Sequence, residues 1–260
     1  MKEFIKNRKD QKIAILLNLN PENKGLVFVM HGLGGFKEQP QMEAIAITFS
    51  EENYSVVQFD TTNTLGESDG DYADATATNY YEDLEDVIAW ASAQSWYTEP
   101  FILIGHSIGG LSVGLYAEKY PQKIKALAPL STVVSGPLSL EAKKTSGELE
   151  EWQRTGWRIS KSESKPGAIK RLKWSHMEDR KQYDLLPKAE ALTMPVLLIV
   201  GEEDNTTPLE HQKILFAKLP GLKELHVIKG APHTFMDPTH LVEIKLILQD
   251  WLKAEINLQV

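Results

Sequence analysis

The stretch that decides the fold is FILIGHSIGGLSVGLYAEKY, residues 101–120. Its apolar start, FILI, predicts a buried strand, and its end, LSVGLYAEKY, predicts a helix. The turn between them, Gly105-His106-Ser107-Ile108-Gly109, matches the G-x-S-x-G pattern, which holds a serine in a strained, exposed position between strand and helix. The turn therefore predicts a nucleophilic serine at position 107. The alternative, a serine that only caps the following helix, leaves the second glycine unexplained.

Similar apolar runs recur on both sides of this stretch, as is typical of strands buried on both faces of a parallel sheet. They are LVFVM (26–30), SVVQF (55–59), KALAPL (125–130), VLLIVG (196–201) and LHVIKG (225–230), preceded by a first strand at 13–17. Helical patterns occupy 39–51, 79–94, 108–119, 209–218 and 239–254, with Asn79 expected to cap the second of these helices. This alternation predicts an α/β fold with a doubly wound, mainly parallel sheet.

One segment interrupts the alternation. Residues 131–192 contain no strand-like run, and glycines and prolines separate polar pieces with a helical pattern. We predict a small helical cap there, inserted into a core made of residues 1–130 and 193–260. The cap contains three tryptophans that either line a substrate pocket or anchor its helices to the core, namely Trp152, Trp157 and Trp174.

Composition excludes several classes of function. A net charge of -8 argues against nucleic acid and anionic lipid as partners. The chain has no cysteine, which excludes disulfides, thiolate metal sites and a cysteine nucleophile and is typical of a reducing compartment, so we expect a cytoplasmic protein. No apolar run approaches the roughly 20 residues that span a bilayer.

A serine nucleophile requires a base and an acid that orients the base. Where a serine lies on such a turn, the acid and then the base follow it in the chain. Asp204 follows the strand VLLIV, and His233 follows the next strand, so we predict both at the sheet edge that holds Ser107. The adjacent Glu202 and Glu203 are the alternative acids.

The other six histidines have simpler explanations. His31 and His106 lie within glycine motifs and are expected to shape turns. The remaining four are assigned to the cap, to packing or to the surface, namely His176, His211, His226 and His240.

A serine hydrolase also needs backbone N–H groups to bind the developing oxyanion. The run HGLGG at 31–35 follows the strand LVFVM, and we expect Leu33 N–H and Ile108 N–H to be the donors. A phosphate loop is the alternative for HGLGG, but the run lacks the lysine and hydroxyl residue of a P-loop and the G-x-G-x-x-G spacing of a dinucleotide site.

Taken together, these motifs resemble the α/β-hydrolase superfamily from about Gly25 to Leu252. Within it, the chain looks most like bacterial feruloyl or cinnamoyl esterase-like and monoacylglycerol lipase-like serine esterases, which carry a cap before the acid-bearing strand. The resemblance implies a triad of Ser107, Asp204 and His233. Many relatives have an Asp followed by Gly-His-Gly-x-Ser, where this chain has the run 61–66, so the loop near Asp60 is expected to differ.

The predicted activity is hydrolysis of a small carboxylic ester through an acyl-enzyme, with no cofactor and no metal. The enzymatic alternatives that share the fold are a serine peptidase or aminoacyl hydrolase and a thioesterase, and a non-catalytic ligand-binding homologue is the alternative of another class. The predicted partner is a small-molecule ester. The sequence leaves open the substrate, its contacts with the cap and the oligomeric state.

Overall fold

The computed structural model describes residues 1–144, 147–162 and 165–256. Its ten strands, in chain order, are β1 (Lys2–Lys6), β2 (Lys12–Asn18), β3 (Leu26–Met30), β4 (Ser55–Phe59), β5 (Phe101–His106), β6 (Ile124–Leu130), β7 (Trp157–Lys161), β8 (Ile169–Lys173), β9 (Val196–Gly201) and β10 (Lys223–Ile228). Its α-helices are α1 (Pro40–Glu51), α2 (Ala77–Ser92), α3 (Ile108–Lys119), α4 (Gly136–Lys144), α5 (Glu148–Thr155), α6 (Ser175–Arg180), α7 (Leu209–Lys218) and α8 (Pro238–Trp251).

Eight strands form one sheet in the order β1-β2-β4-β3-β5-β6-β9-β10. Strands β3, β4, β5, β6, β9 and β10 pair in parallel, while β1 and β2 join one edge in antiparallel pairs. This arrangement confirms the predicted α/β-hydrolase fold class with a mainly parallel sheet. Parallel pairing brings the carboxyl ends of β3, β5, β9 and β10 to one edge, where the loops that follow them can meet.

Helices cover both faces of the sheet, which explains why its interior strands are apolar on both sides. On one face, α2 and α3 pack into a core that includes Tyr80, Phe101 and Leu111. On the other, α1 and α8 form a second core around Phe49 and Trp251. The fold is therefore doubly wound, as predicted.

Two details of the elements differ from the sequence predictions. Strand β1 was not predicted because KEFIK has only two apolar residues, which suits an edge strand paired on one side. Helix α2 begins two residues earlier than expected, and its cap is Thr76, whose hydroxyl accepts a hydrogen bond from the N–H of Asn79. Asn79 does not cap the helix. Its side chain instead donates to Thr62 and Asp83.

The segment predicted as a helical cap contains α4, α5 and α6, but it also contains a β-hairpin. Strands β7 and β8 pair only with each other, in antiparallel register. The expectation of a helical segment was wrong here because WRISK and IKRLK are mostly polar and contain no continuous apolar run. The division into a core and a cap domain stays a prediction.

Within the described residues, no helix is long and apolar enough to cross a membrane.

Candidate active site

Ser107 lies between β5 and α3 in a backbone conformation that side chains other than glycine rarely adopt, with φ 58° and ψ -116°. Its side chain makes no capping hydrogen bond to α3, so the structure argues against the alternative that this serine only caps the helix. Gly109 permits the tight turn, because a Cβ there would lie 2.4 Å from the carbonyl oxygen of His31. The turn thus directs the largely buried serine toward the cavity at the edge of the sheet.

The loops after β9 and β10 bring the predicted acid and base to this serine. His233 Nε2 lies 2.9 Å from Ser107 Oγ, and His233 Nδ1 lies 2.8 Å from Asp204 Oδ2. With a carboxylate at Nδ1, the neutral imidazole carries its proton there and leaves Nε2 to accept the serine proton. The structure therefore joins all three predicted residues in one hydrogen-bonded chain.

Asp204 is buried and held as a carboxylate by its own loop. Burial alone would raise the pKa of Asp204, but hydrogen bonds from His233 and Thr207 and the attraction of His233 outweigh burial and hold this pKa well below its usual value. The N–H groups of Thr206 and Thr207 each donate to Oδ1 at 2.8 Å, and the Thr207 hydroxyl donates to Oδ2 at 2.8 Å.

The two alternative acids do not reach the histidine. Glu202 and Glu203 are exposed, and Glu202 accepts a hydrogen bond from the N–H of Gly230 at 2.9 Å. Of the three carboxylates in this turn, the structure therefore brings only Asp204 to His233.

Thr207 and His106 hold His233 in position, although the sequence analysis did not assign either of them to the site. Thr207 Oγ1 lies 3.2 Å from His233 Nδ1, and the His106 ring packs against that of His233 with centroids 4.8 Å apart. His106 Nε2–H donates to the backbone oxygen of His233 at 2.8 Å, and burial lowers the pKa of His106 to about 3, so its ring is neutral. An Asp followed at three residues by Thr, a pattern that forms local side-chain turns, was the available signal for Thr207.

The glycine loop after β3 approaches Ser107 closely. A Cβ on Gly32 would lie 2.8 Å from His106 Nδ1, so only glycine fits there. Leu33 and Ile108 line the same cavity as Ser107. Within the described part of the chain, neither of their N–H groups donates to a protein acceptor. Both are thus available to an oxyanion.

A buried ion pair anchors the glycine loop to the end of β4. The side chains of Lys37 and Asp60 are fully buried, with Nζ 3.0 Å from Oδ2, and the Lys37 N–H also donates to Asp60 Oδ1 at 2.7 Å. Glu67 accepts from the same ammonium at 2.6 Å. His31 closes the loop from within, with its Nε2 accepting from Thr61 N–H and its Nδ1–H donating to Gly32, so it shapes a turn as expected.

A cavity of about 180 Å³ opens above Ser107, with one wall from the sheet edge and the other from the segment 131–192. The second wall contributes an aromatic ring and four basic side chains, Trp152, Arg158, Lys170, His176 and Arg180. Of the three tryptophans in this segment, Trp152 lines the cavity. The ring of Trp174 packs against that of Trp152 with centroids 5.6 Å apart, and Arg171 lies over the ring of Trp157. Among the described residues, no three His, Asp or Glu side chains form a group that could hold a metal ion.

The model of the family Hydrolase_4, described as "Serine aminopeptidase, S33", matches residues 21–178 of this chain. An uncharacterized 31.7 kDa protein of Escherichia coli, from the traX-finO intergenic region, is 25% identical over 89% of this chain and 91% of its own length. The palmitoyl-protein thioesterase ABHD10 of Bos taurus is 27% identical over 60% of this chain and 49% of its own length.

Among solved structures, Est1E from Butyrivibrio proteoclasticus with ferulic acid bound superposes with a TM-score of 0.84. It is 22% identical, and the match covers 98% of this chain and 99% of that one. At this identity the likeness shows the fold alone, and it agrees with the α/β-hydrolase architecture described above.

Proposed function

The chain belongs to the Hydrolase_4 family of serine hydrolases, and from that premise we propose that it cleaves small carboxylic esters through an acyl-enzyme on Ser107. The observation that carries the proposal is the hydrogen-bonded chain from Ser107 through His233 to Asp204, at the floor of a cavity. A nucleophile, its base and the orienter of that base within hydrogen-bond distance are the arrangement that acyl transfer requires.

In the first step His233 Nε2 takes the proton of Ser107 Oγ as the oxygen attacks the substrate carbonyl. The resulting oxyanion accepts hydrogen bonds from Leu33 N–H and Ile108 N–H, and Asp204 stabilises the imidazolium. The imidazolium then protonates the departing alcohol and leaves an acyl-serine. In the second step water gives a proton to His233 and attacks the acyl carbonyl. The imidazolium then protonates Ser107 Oγ as the acyl C–O bond breaks, which releases the acid and restores the free serine.

A thioester is the second candidate substrate, because the same steps release a thiol and one matched relative is named as a thioesterase. An aminopeptidase activity, which the family description suggests, has less support. A peptide N-terminus is a cation, and it would have to enter a cavity whose wall carries Arg158, Lys170 and Arg180. A non-catalytic ligand-binding role does not account for the alignment of the base with the serine.

The test compares wild type, Ser107→Ala and the matched control Ser112→Ala on a panel of substrates. The panel contains 4-nitrophenyl acetate, butyrate and octanoate, methyl ferulate, a butyryl thioester and an alanyl 4-nitroanilide. Ser112 lies in α3 and its hydroxyl only bonds the backbone oxygen of Ile108. We expect ester turnover to fall by roughly 10³- to 10⁶-fold in Ser107→Ala and to persist in Ser112→Ala.

Each outcome separates the candidates. Ester turnover that survives in Ser107→Ala would exclude the proposed nucleophile. Turnover of the thioester or the anilide in preference to every ester would replace the proposed substrate class with that of a thioesterase or a peptidase.

A further inference from the structure

Among the described residues, Arg180 at the end of α6 is a buried cation without an acidic partner. It is 5% exposed and lines the cavity above Ser107. One of its terminal nitrogens, Nη2, donates to Ser139 Oγ at 3.0 Å, and its Nε is buried without a hydrogen-bond acceptor. Within the described residues no carboxylate forms an ion pair with this guanidinium. Arginine is seldom buried in this way, because an uncompensated charge away from water is strongly unfavourable.

The surroundings of Arg180 disfavour the positive charge of its guanidinium. Burial and, to a smaller extent, the positive charge of Arg158 together lower the pKa of Arg180 to about 10. At neutral pH the side chain nevertheless remains protonated. Two cationic side chains, Arg158 and Lys170, line the same cavity, and none of its described lining residues is Asp or Glu. An anion in the cavity would therefore compensate the buried positive charge of Arg180.

The local fold holds Arg180 in place. The backbone of Arg180 is pressed against the start of α4, since a Cβ on Gly136 would lie 2.1 Å from the Arg180 oxygen. Ser139, itself 2% exposed, holds the guanidinium through its hydroxyl. A planar guanidinium with unused N–H groups suits the two oxygens of a carboxylate or phosphate.

We propose that Arg180 forms an anion subsite of this cavity, with support from Arg158 and Lys170, and that the substrate carries a carboxylate or phosphate group besides its scissile ester. This inference rests on the proposed hydrolase function and specifies the substrate class of the same site. The anion lies either on the acyl part or on the alcohol part of the substrate.

Two pairs of esters distinguish these positions. Mono-4-nitrophenyl adipate is compared with 4-nitrophenyl hexanoate for an anion on the acyl part, and 4-acetoxybenzoate with 4-tolyl acetate for an anion on the leaving group. The measured quantity is the ratio of kcat/KM for the charged ester to that for its neutral partner. We expect Arg180→Met to lower this ratio by about 10- to 100-fold in one of the two pairs, as for the loss of one charged hydrogen-bonding group.

Two further variants separate charge from structure. Arg154→Met makes the same substitution at an exposed residue of α5 and should leave both ratios unchanged. Ser139→Ala removes the hydrogen bond to Arg180 but keeps the cation, so it should lower the preference for the charged ester less than Arg180→Met does. A loss of preference in Ser139→Ala equal to that in Arg180→Met, or ratios unchanged in Arg180→Met, would overturn the anion subsite.

Binding without turnover keeps this test separate from the proposed activity. Calorimetric titration of adipate into Ser107→Ala should show binding that is lost in Ser107→Ala/Arg180→Met. Binding of adipate by a protein that turns over no ester would support the subsite and reject the hydrolase function. Ester turnover with no adipate binding would support the hydrolase function and reject the subsite. If Arg180→Met fails to fold, inhibition of the wild type by adipate but not by neutral 1,6-hexanediol supports the subsite, and equal or no inhibition overturns it.

Discussion

The two walls of the cavity are built by different means. The wall at the sheet edge contains the glycine loop with its backbone N–H groups, Ser107 and His233, placed by turns after β3, β5 and β10. The opposite wall, from α5, the β7–β8 hairpin and α6, presents long basic side chains and Trp152. Backbone groups recognise what all esters share, the carbonyl and its oxyanion. Side chains recognise what differs between substrates, so we assign chemistry to the first wall and specificity to the second.

The largest effect that this comparison predicts is at Asp204. Asp204→Asn keeps the shape of the side chain but favours the wrong tautomer of His233, so kcat should fall about 10⁴-fold. Because Asp204 belongs to the sheet-edge wall, Asp204→Asn should lower turnover of the charged and the neutral ester equally. Arg180→Met, by contrast, should lower turnover of the charged ester more. Steady-state kinetics with both members of one ester pair measures this, with Glu203→Gln on the exposed neighbour as the control. A loss confined to the charged ester would contradict the assignment of roles to the two walls.

The next effect is on stability. Lys37→Met leaves the buried carboxylate of Asp60 without its cation, and the free energy of unfolding should fall by about 3–5 kcal/mol. In the opposite wall, strand β8 is joined to Asp74 by the exposed ion pair of Lys173, and Lys173→Met should cost less than about 1 kcal/mol. Urea unfolding of both variants measures the difference. Equal losses would show that the sheet-edge wall is not the more strongly anchored of the two.

The smallest effect concerns acid sensitivity. The folded protein holds the pKa of His106 at about 3, below the ordinary value of 6.5, so between these values the unfolded chain binds a proton that the folded chain does not. Stability must therefore decrease as the pH falls through this window, by up to about 1.4 kcal/mol per pH unit for one such histidine. His106→Gln should make the dependence of the unfolding free energy on pH shallower between pH 6 and pH 4.

Urea unfolding at several pH values measures that slope. Ser112→Ala, which changes a buried side chain that carries no ionisable group, is the control and should keep the wild-type slope. An unchanged slope in His106→Gln would mean that burial of this histidine does not contribute to acid sensitivity.

Sequence predicted most of the sheet-edge wall because its determinants are local. Apolar strands followed by glycine turns or by short polar loops identify positions at the carboxyl ends of strands, and parallel pairing brings those ends together. The glycine pattern around Ser107 and the loop positions of Asp204 and His233 were sufficient to place all three residues. Thr207 and His106 were not assigned roles because their contacts with His233 depend on the packing of separate loops.

The opposite wall was much less predictable, for a physical reason. Its members come from three elements with polar sequences, and nothing in the chain near Arg180 indicates that this side chain is buried. The hairpin was missed because its mostly polar strands contain no apolar run, and long basic side chains ordinarily lie on a solvated surface. Only the packing of α6 against α4 converts one of these charges into a buried one.

The buried pair of Lys37 and Asp60 keeps the glycine loop ordered when no substrate is bound. Two ionic contacts and a backbone N–H hold the loop on the end of β4 before any substrate arrives. The conformational entropy of that loop is therefore lost once, when the chain folds, and not again in each catalytic cycle. A loop organised by the substrate itself would repeat that loss at every turnover, so this pair removes a recurring entropic barrier from the reaction.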